Sequence, residues 1–293
     1  MTAKLSSGFG NRLFQIAAAA SYAQCHDRKL VFVDRFIDVS VHDVNAMRYM
    51  KHILEIPTVR VTEDPVMIVE TQLSKDYDAN LVVLDGYFQV PTYVMALKPY
   101  FQRFLDSMPK ESLGTTFVHV RLGDYDHSLF NAMYLNLENY YLKAMKGPGP
   151  YEIISNEPEK AEKRLKLSNV FYSVLPLMNM AKTFERFIMS SHAIIANSTF
   201  SYWGATLMKW RDPDATIIMP SPWNRLNFVM KSVSYVCPRI TPNRLATSES
   251  LQYDTYSGLN TGEILTISFV IGLIVLMIMQ PWRHKVRMHN VRT

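Results

Sequence analysis

Residues able to do chemistry gather in short stretches of this 293-residue chain. The first, Phe117 to Tyr125, reads Phe-Val-His-Val-Arg-Leu-Gly-Asp-Tyr. Its apolar, β-branched and aromatic residues, free of proline, predict a strand that stops at Gly123. His119, Arg121 and Asp124 then fall at the strand's end, which in open α/β sheets is where ligands bind. An arginine there, with its planar fork of donors, suits a doubly charged diphosphate. The same residues also fit a surface arginine and a hydrogen-bonded core histidine.

The second stretch, Ser7-Gly8-Phe9-Gly10-Asn11-Arg12-Leu13-Phe14-Gln15, lies between a short strand over Ala3 to Ser6 and an alanine-rich helix through Cys25. Strand, glycine loop and helix bring backbone amides and a helix N-terminus to an anion, although an ordinary tight turn has the same composition. The third, Asn197-Ser198-Thr199-Phe200-Ser201-Tyr202-Trp203-Gly204-Ala205, follows a buried strand at Ala193 to Ala196. Its hydroxyl and amide side chains supply an N-cap and donors aimed out of the helix end. In the plainer reading, Thr199 or Ser201 only starts a helix whose Tyr202 and Trp203 pack inward. Asn197-Ser198-Thr199 is also a glycosylation sequon, but so apolar a setting predicts burial.

Strands and helices that must position these stretches alternate along the chain. Leu30 to Asp34 is a strand at βαβ spacing, Val39 to Leu54 contains a helix, and Val59 to Val61 and Val66 to Val69 are short strands. Leu81 to Leu84 is a further strand that ends in Asp85-Gly86-Tyr87-Phe88-Gln89, and Val94 to Met108 has helical spacing with Pro109 as its stop. Beyond a boundary near Lys110 to Gly114, Leu137 to Met145 is helical and Gly147 to Pro150 a break. Tyr151 to Ile154 is a strand entering a helix through Ser155, Asn156 and Pro158, followed by a strand at Val170 to Tyr172, a helix at Thr183 to Ser190 and a strand at Thr216 to Pro220. This alternation predicts an α/β protein.

Composition narrows the class. With 48% hydrophobic and 12% aromatic residues the chain has material for a large core, which argues against disorder. Of the net charge of +5, Arg283, Lys285, Arg287 and Arg292 sit after Pro281, where there is no acid, leaving +1 for the rest. The basic balance therefore points to a membrane surface and not to nucleic acid. Ile264 to Met279 is an uninterrupted uncharged run flanked by Glu263 on one side and by Trp282 and the basic tail on the other. A span over 263–282 fits a thin bilayer, with a buried core helix as the alternative. No signal sequence is visible in Met1 to Ser7, so the side of the membrane on which the body lies is read in opposite ways by that observation and by the positive-inside rule. Two cysteines, Cys25 and Cys237, make neither a disulfide framework nor a metal site, and read as small buried residues with one optional bridge.

The motifs, in order over roughly residues 3 to 225, resemble those of the α-1,2-fucosyltransferases, glycosyltransferase family 11. Phe117 to Tyr125 resembles the family's His-x-Arg-Arg-Gly-Asp-Tyr signature, Ser7 to Gln15 its Gly-Gly-Leu-Gly-Asn-Gln-Met-Phe-Gln opening, and Gly86 to Gln89 its Gly-Tyr-Phe-Gln run. Ile194 to Ala205 resembles its Ile-Ile-Ala-Asn-Ser-Ser-Phe-Ser-Trp-Trp-Gly-Ala segment most closely. Arg12 replaces the family's glutamine, Leu122 its second arginine, and Asn156 stands where a carboxylate is common.

The resemblance implies a GT-B-like α/β fold of two Rossmann-like halves, 1–112 on the acceptor side and 113–244 binding the donor. A linker at 245–262, a transmembrane helix at 263–282 and a basic tail at 283–293 complete the expected organisation. The implied reaction is an inverting, metal-independent transfer of L-fucose from GDP-fucose to a galactose-type hydroxyl of a glycan in α-1,2 linkage, with no cofactor beyond that donor. Arg121 neutralises the leaving diphosphate, and Asp124 is the nearest carboxylate, either the base or a brace for loop amides. Gly10, Asn11, Arg12, His119, Asn156, Asn197, Ser198, Thr199 and Ser201 contact the donor. Asp76-Tyr77-Asp78, Asp124-Tyr125-Asp126 and Asp212-Pro213-Asp214 fit the metal-binding Asp-x-Asp pattern, as pairs expected by chance also do. The alternatives are a transferase for another sugar nucleotide and a membrane-tethered sugar-nucleotide-binding protein without turnover.

Overall fold

The computed structural model describes residues 1–38, 44–123, 137–146, 149–165, 170–221 and 249–252. Its first part runs β1 (Thr2–Ala3), α1 (Phe9–Cys25), β2 (Phe32–Val33), α2 (Val44–Ile53), β3 (Thr58–Val59), β4 (Val66–Ile68), β5 (Val82–Leu84) and α3 (Lys98–Ser107). The second runs β6 (Leu113–Val120), α4 (Leu137–Ala144), β7 (Tyr151–Ser155), α5 (Pro158–Leu165), β8 (Tyr172–Val174), α6 (Met180–Met189), β9 (Ser190–Ile194), α7 (Thr199–Arg211), β10 (Thr216–Ser221) and β11 (Glu249–Gln252). All pairings among the described strands are parallel, which requires crossover connections between paired strands.

The larger sheet has the order β8-β7-β6-β9-β10-β11. From β6 the chain winds outward to β7 and β8, then returns across β6 to continue through β9 and β10 in the opposite direction. The crevice opened by that reversal lies between the carboxyl ends of β6 and β9, the position at which doubly wound sheets bind ligands. The first part repeats the device on a smaller scale. Its order is β1-β5-β4, with β2 and β3 joined beyond β1 through the Leu5 to Ile37 bridge and the Val31 N–H to Met1 carbonyl bond. Its reversal falls between β1 and β5, whose ends lead into Ser7-Gly8 and Gly86 to Gln89.

One core joins the two sheets, and α1 is its axis. Every residue from Phe9 to Ala23 is buried except Asn11. Such a helix needs small residues where neighbours approach, and Ala17 to Ala20 provide them. Phe14 packs on Tyr202 and Trp203 of α7 at ring separations of 5.3 and 5.4 Å. Trp203 in turn meets Phe101 of α3 at 6.1 Å. A second cluster fills the opposite face of the large sheet with Val118, Val120, Leu122, Tyr140, Tyr141 and Ile153.

The structure departs from expectation in two of its elements. Pro91–Leu97 is a 3-10 turn and the α-helix starts only at Lys98, because Pro99 in its first turn fixes a new helix start within the single helix expected from Val94. Glu249–Gln252, inside the expected linker, is a strand in register with Ile218 to Ser221; a polar sequence can still satisfy its backbone on a sheet edge. Cys25 is half-buried and disulfide-bonded, the bridge that the sequence left as an option. Among the described residues no helix is long and apolar enough to cross a membrane. The transmembrane helix expected at 263–282, the basic tail and Cys237 lie outside the described residues.

Candidate active site

The two sheet reversals open into one cleft of about 710 Å³. From the first part it is lined by Ser7, Gly8, Phe9, Gly10, Asn11, Tyr87 and Gln89. The second contributes His119 from β6 and Arg121 just after it, Ile154 and Ser155 from β7 and Asn156 just after it, and Asn197, Ser198, Thr199 and Phe200 from the turn after β9 and the start of α7. Its size suits a nucleotide-sized ligand.

The floor is made by two helix N-termini in contact. A Cβ added at Gly10 would lie 2.4 Å from both Phe200 N and Thr199 C, so only glycine allows the first turn of α1 to reach the backbone of α7. Helix ends leave their first amides unpaired and carry a partial positive charge. Here two such ends point at one place, with no side-chain cap on α1. Backbone amides at helix starts and the Arg121 guanidinium in the same lining are groups able to receive an anion.

Each neighbour is locked by its own bonds. Asn11 donates to Ser7 Oγ at 3.0 Å and accepts from Gln89 Nε2 at 2.9 Å. Gln15 accepts from Ser6 N–H at 3.0 Å and donates to the Gly86 carbonyl at 3.0 Å, tying the two turns of the first sheet together. Ser7, Phe88 and Gly123 have φ of 68°, 50° and 80°, so left-handed backbone recurs in the turns around this cleft, where packing holds it.

His119 is buried and lies one residue inside the strand end, not beyond it. Its Nδ1 faces Ser201 Oγ in a short contact, and Ser201 Oγ accepts from Ser198 Oγ at 3.1 Å. Burial, and then the Arg121 charge, push the imidazole pKa down to about 3, so the ring is neutral at physiological pH. If Ser201 donates to Nδ1, the ring proton is on Nε2 and that atom is a donor; in the other tautomer Nδ1–H donates to Ser201 Oγ.

Several residues expected to touch the ligand do other work. Arg12 is 1% exposed and turns away from the cleft, its Nε donating to the Ser7 carbonyl at 2.9 Å and Nη2 to the Asp38 carbonyl at 2.6 Å. Burial lowers its pKa while Asp38 works the other way, and its Nη1 has no partner among the described residues. Ser201 is fully buried behind His119 and does not line the cleft. Asn156 lines the wall, but its side chain is engaged by the Leu122 backbone, accepting from N–H at 2.9 Å and donating to the carbonyl at 3.2 Å. It therefore positions the residue after Arg121. Leu122 is fully buried in the second core cluster, so a side chain at 122 faces the core and not the ligand. Asp124 lies outside the described residues.

Gly10, Asn11, His119, Arg121, Asn197, Ser198 and Thr199 all line the one cleft. The sequence reading missed Ser7, Phe9, Thr183, Leu177 and Met178 as lining residues, and gave no role to Tyr87 and Gln89 although their motif was visible. Nothing local marks Leu177 or Met178, which reach the cleft from the segment after β8. Of the Asp-x-Asp pairs, Asp76 is ion-paired with Arg28 at 2.8 Å, beside the far end of α1, and Asp212 caps the far end of α7.

No protein-family model matches the sequence. It is 25% identical over 283 residues to the O-antigen biosynthesis glycosyltransferase WbnK of Escherichia coli, covering 75% of this chain and 93% of that protein. Among solved structures, the fucosyltransferase NodZ from Bradyrhizobium aligns with a TM-score of 0.41 and 15% identity over 70% of this chain and 92% of that one. The E. coli heptosyltransferase WaaC aligns with 0.42 and 12% over 90% and 97%. TM-scores this low carry no argument.

Proposed function

We propose that this chain is a glycosyltransferase that moves L-fucose from GDP-fucose to a galactose-type hydroxyl of a glycan, forming an α-1,2 linkage with inversion and without a metal. The observation that carries the reading is the convergence of Arg121 with the amide-bearing ends of α1 and α7 on one cleft at two sheet reversals. That is the electrostatic environment a departing diphosphate needs as the sugar C1 becomes cationic. Sequence similarity to a glycosyltransferase over most of the chain supports the general class, and the motif resemblance supplies donor and linkage. A neutral His119 donates a hydrogen bond from Nε2 without adding a second positive charge. An acceptor hydroxyl then attacks C1 from the face opposite the diphosphate. Asp124 remains the proposed carboxylate for that proton, and the apolar segment at 263–282 the proposed membrane anchor.

The test is GDP release from GDP-fucose by the full chain, alongside Arg121→Ala. Loss of one such donor costs a few kcal/mol in the barrier, on the order of 100-fold or more in rate. Arg121→Ala is expected to fold normally and to lose transfer by that factor; turnover near that of the wild type refutes the assignment. A second reading, a sugar-nucleotide-binding protein without turnover, draws on one observation. Arg121 is the single Arg or Lys among the described residues lining the cleft. GDP binding without release of GDP from the donor selects it.

A further inference from the structure

At the rim of the cleft stands an aromatic ring that the described protein does not use. Tyr87 lines the cleft and is 56% exposed. Among the described residues its ring packs on no other aromatic ring and its hydroxyl has no hydrogen-bond partner. The turn that presents it is nonetheless firmly held. The next residue, Phe88, takes a left-handed φ of 50° with its ring buried, which reverses the chain and leaves Tyr87 outward. On one side the Gly86 carbonyl accepts from Gln15 at 3.0 Å, and on the other Gln89 donates to Asn11 at 2.9 Å. A conformation disfavoured for a bulky residue, braced at both ends, turns a tyrosine toward a cavity, and strained backbone of this kind clusters at ligand sites.

The ligand's chemistry follows from what the rest of the cleft already accounts for. Arg121 and the two helix ends take the anion. The second part supplies an apolar wall in Ile154, Leu177, Met178 and Met180, on which the proposed donor's nucleobase has room to pack. Tyr87 belongs to the other part, beside the polar pair Asn11 and Gln89. A flat, rigid ring with a hydroxyl at its edge, next to amide donors and acceptors, matches a pyranose, whose C–H face is apolar and whose rim is polar.

We infer that Tyr87 is the platform of an acceptor subsite, stacking against the C–H face of a pyranoside with Gln89 at its rim. The assignment of that platform to an acceptor, and of the sugar as a β-galactoside, rests on the reading given under Proposed function.

The experiment is saturation-transfer NMR of lactose with the full chain, paired with calorimetry of GDP, for wild type, Tyr87→Ala and Tyr87→Trp. Saturation is expected on the ring protons of one sugar face in the wild type and in Tyr87→Trp, and to be lost in Tyr87→Ala. GDP affinity is expected to stay within about twofold across the three proteins. Where transfer is measured, KM for lactose rises on the order of tenfold in Tyr87→Ala, with a smaller change in kcat. Unchanged saturation in Tyr87→Ala overturns the inference. So does a parallel loss of GDP affinity, which would put the nucleobase on this ring. Absence of GDP binding in all three proteins overturns the donor reading instead, while the NMR comparison still decides the role of Tyr87.

Discussion

The helices that meet at Gly10 begin in opposite ways. α1 opens on Gly8, with φ −70° and ψ 164° and no side-chain cap, so its first amides stay available. α7 opens on Ser198, whose hydroxyl accepts from Ser201 N–H and belongs to the chain of bonds that reaches His119. The uncapped start is held from behind by a buried cation: Arg12 grips the Ser7 and Asp38 carbonyls. A positive charge in a first helical turn opposes the helix dipole, yet it raises the positive potential at that end. The capped start is held by neutral hydroxyls and gives up one amide to its own cap. One end thus keeps its first amides free of a side-chain cap, whereas the other spends one amide on a cap wired to the side chain that faces it.

The strongest way to break the comparison is to part the two ends. In Gly10→Ala the new Cβ collides with backbone, which cannot rotate aside, so the helices must separate. Overpacking of this kind costs about 3 kcal/mol or more. For a protein of this size that is a fall in Tm of roughly 6–12 °C, accompanied by weaker GDP binding. A Tm within about 2 °C of the wild type would mean that the close approach is not maintained in solution.

At the capped end the buried histidine gives a pH signature. His119 has its pKa pushed down to about 3 in the folded chain, against 6.5 when unfolded. The unfolded state binds the extra proton between these values, so stability is full above pH 6.5 and declines as the pH falls toward 3. The slope attributable to this residue is about 1.4 kcal/mol per pH unit. Urea unfolding of wild type and His119→Gln at several pH values isolates it: the wild type should lose stability relative to the variant below pH 6.5. A difference independent of pH means that His119 is solvated or paired with an acid.

The contrast between the two ends also marks how far the sequence could be read. Strand, turn and helix at Ser7 to Gln15 and at Ala193 to Ala205 were legible because glycine and hydroxyl residues interrupt apolar runs at the chain reversals. Which polar side chains face the ligand was not legible. Arg12 sits two residues beyond Gly10 in the same turn, and only the packing of Ser7 and Asp38 beside it shows that it points inward. Ser201 and Ser198 are three residues apart, a spacing that reads as two donors when one in fact supports the other. Leu122 looked like a missing cation beside Arg121; alternation along the chain turns it into the core. The wall formed by Leu177 and Met178 left no trace, since contacts made across the sheet have no local pattern.

The finest test exchanges the finish of the two helices. Gly8 has extended backbone and nothing within 4 Å of an added Cβ, so Gly8→Ser is accommodated without strain. Its hydroxyl caps an amide in the first turn and adds a few tenths of a kcal/mol, about 1 °C in Tm. That amide is then lost to a bound diphosphate, so GDP affinity should drop severalfold while stability rises. Ser198→Ala removes a cap that exists and costs about 1 kcal/mol, and it also withdraws the hydroxyl that supports Ser201 and, through it, His119. There stability and GDP affinity fall together. Opposite signs at α1 and equal signs at α7, read by thermal unfolding and calorimetry on the same samples, are what distinguishes an uncapped end from one that spends an amide on its own cap. If Gly8→Ser instead tightened GDP binding, the amides of α1 would not be donors to the diphosphate, and the anion would have to be held by Arg121 and α7 alone.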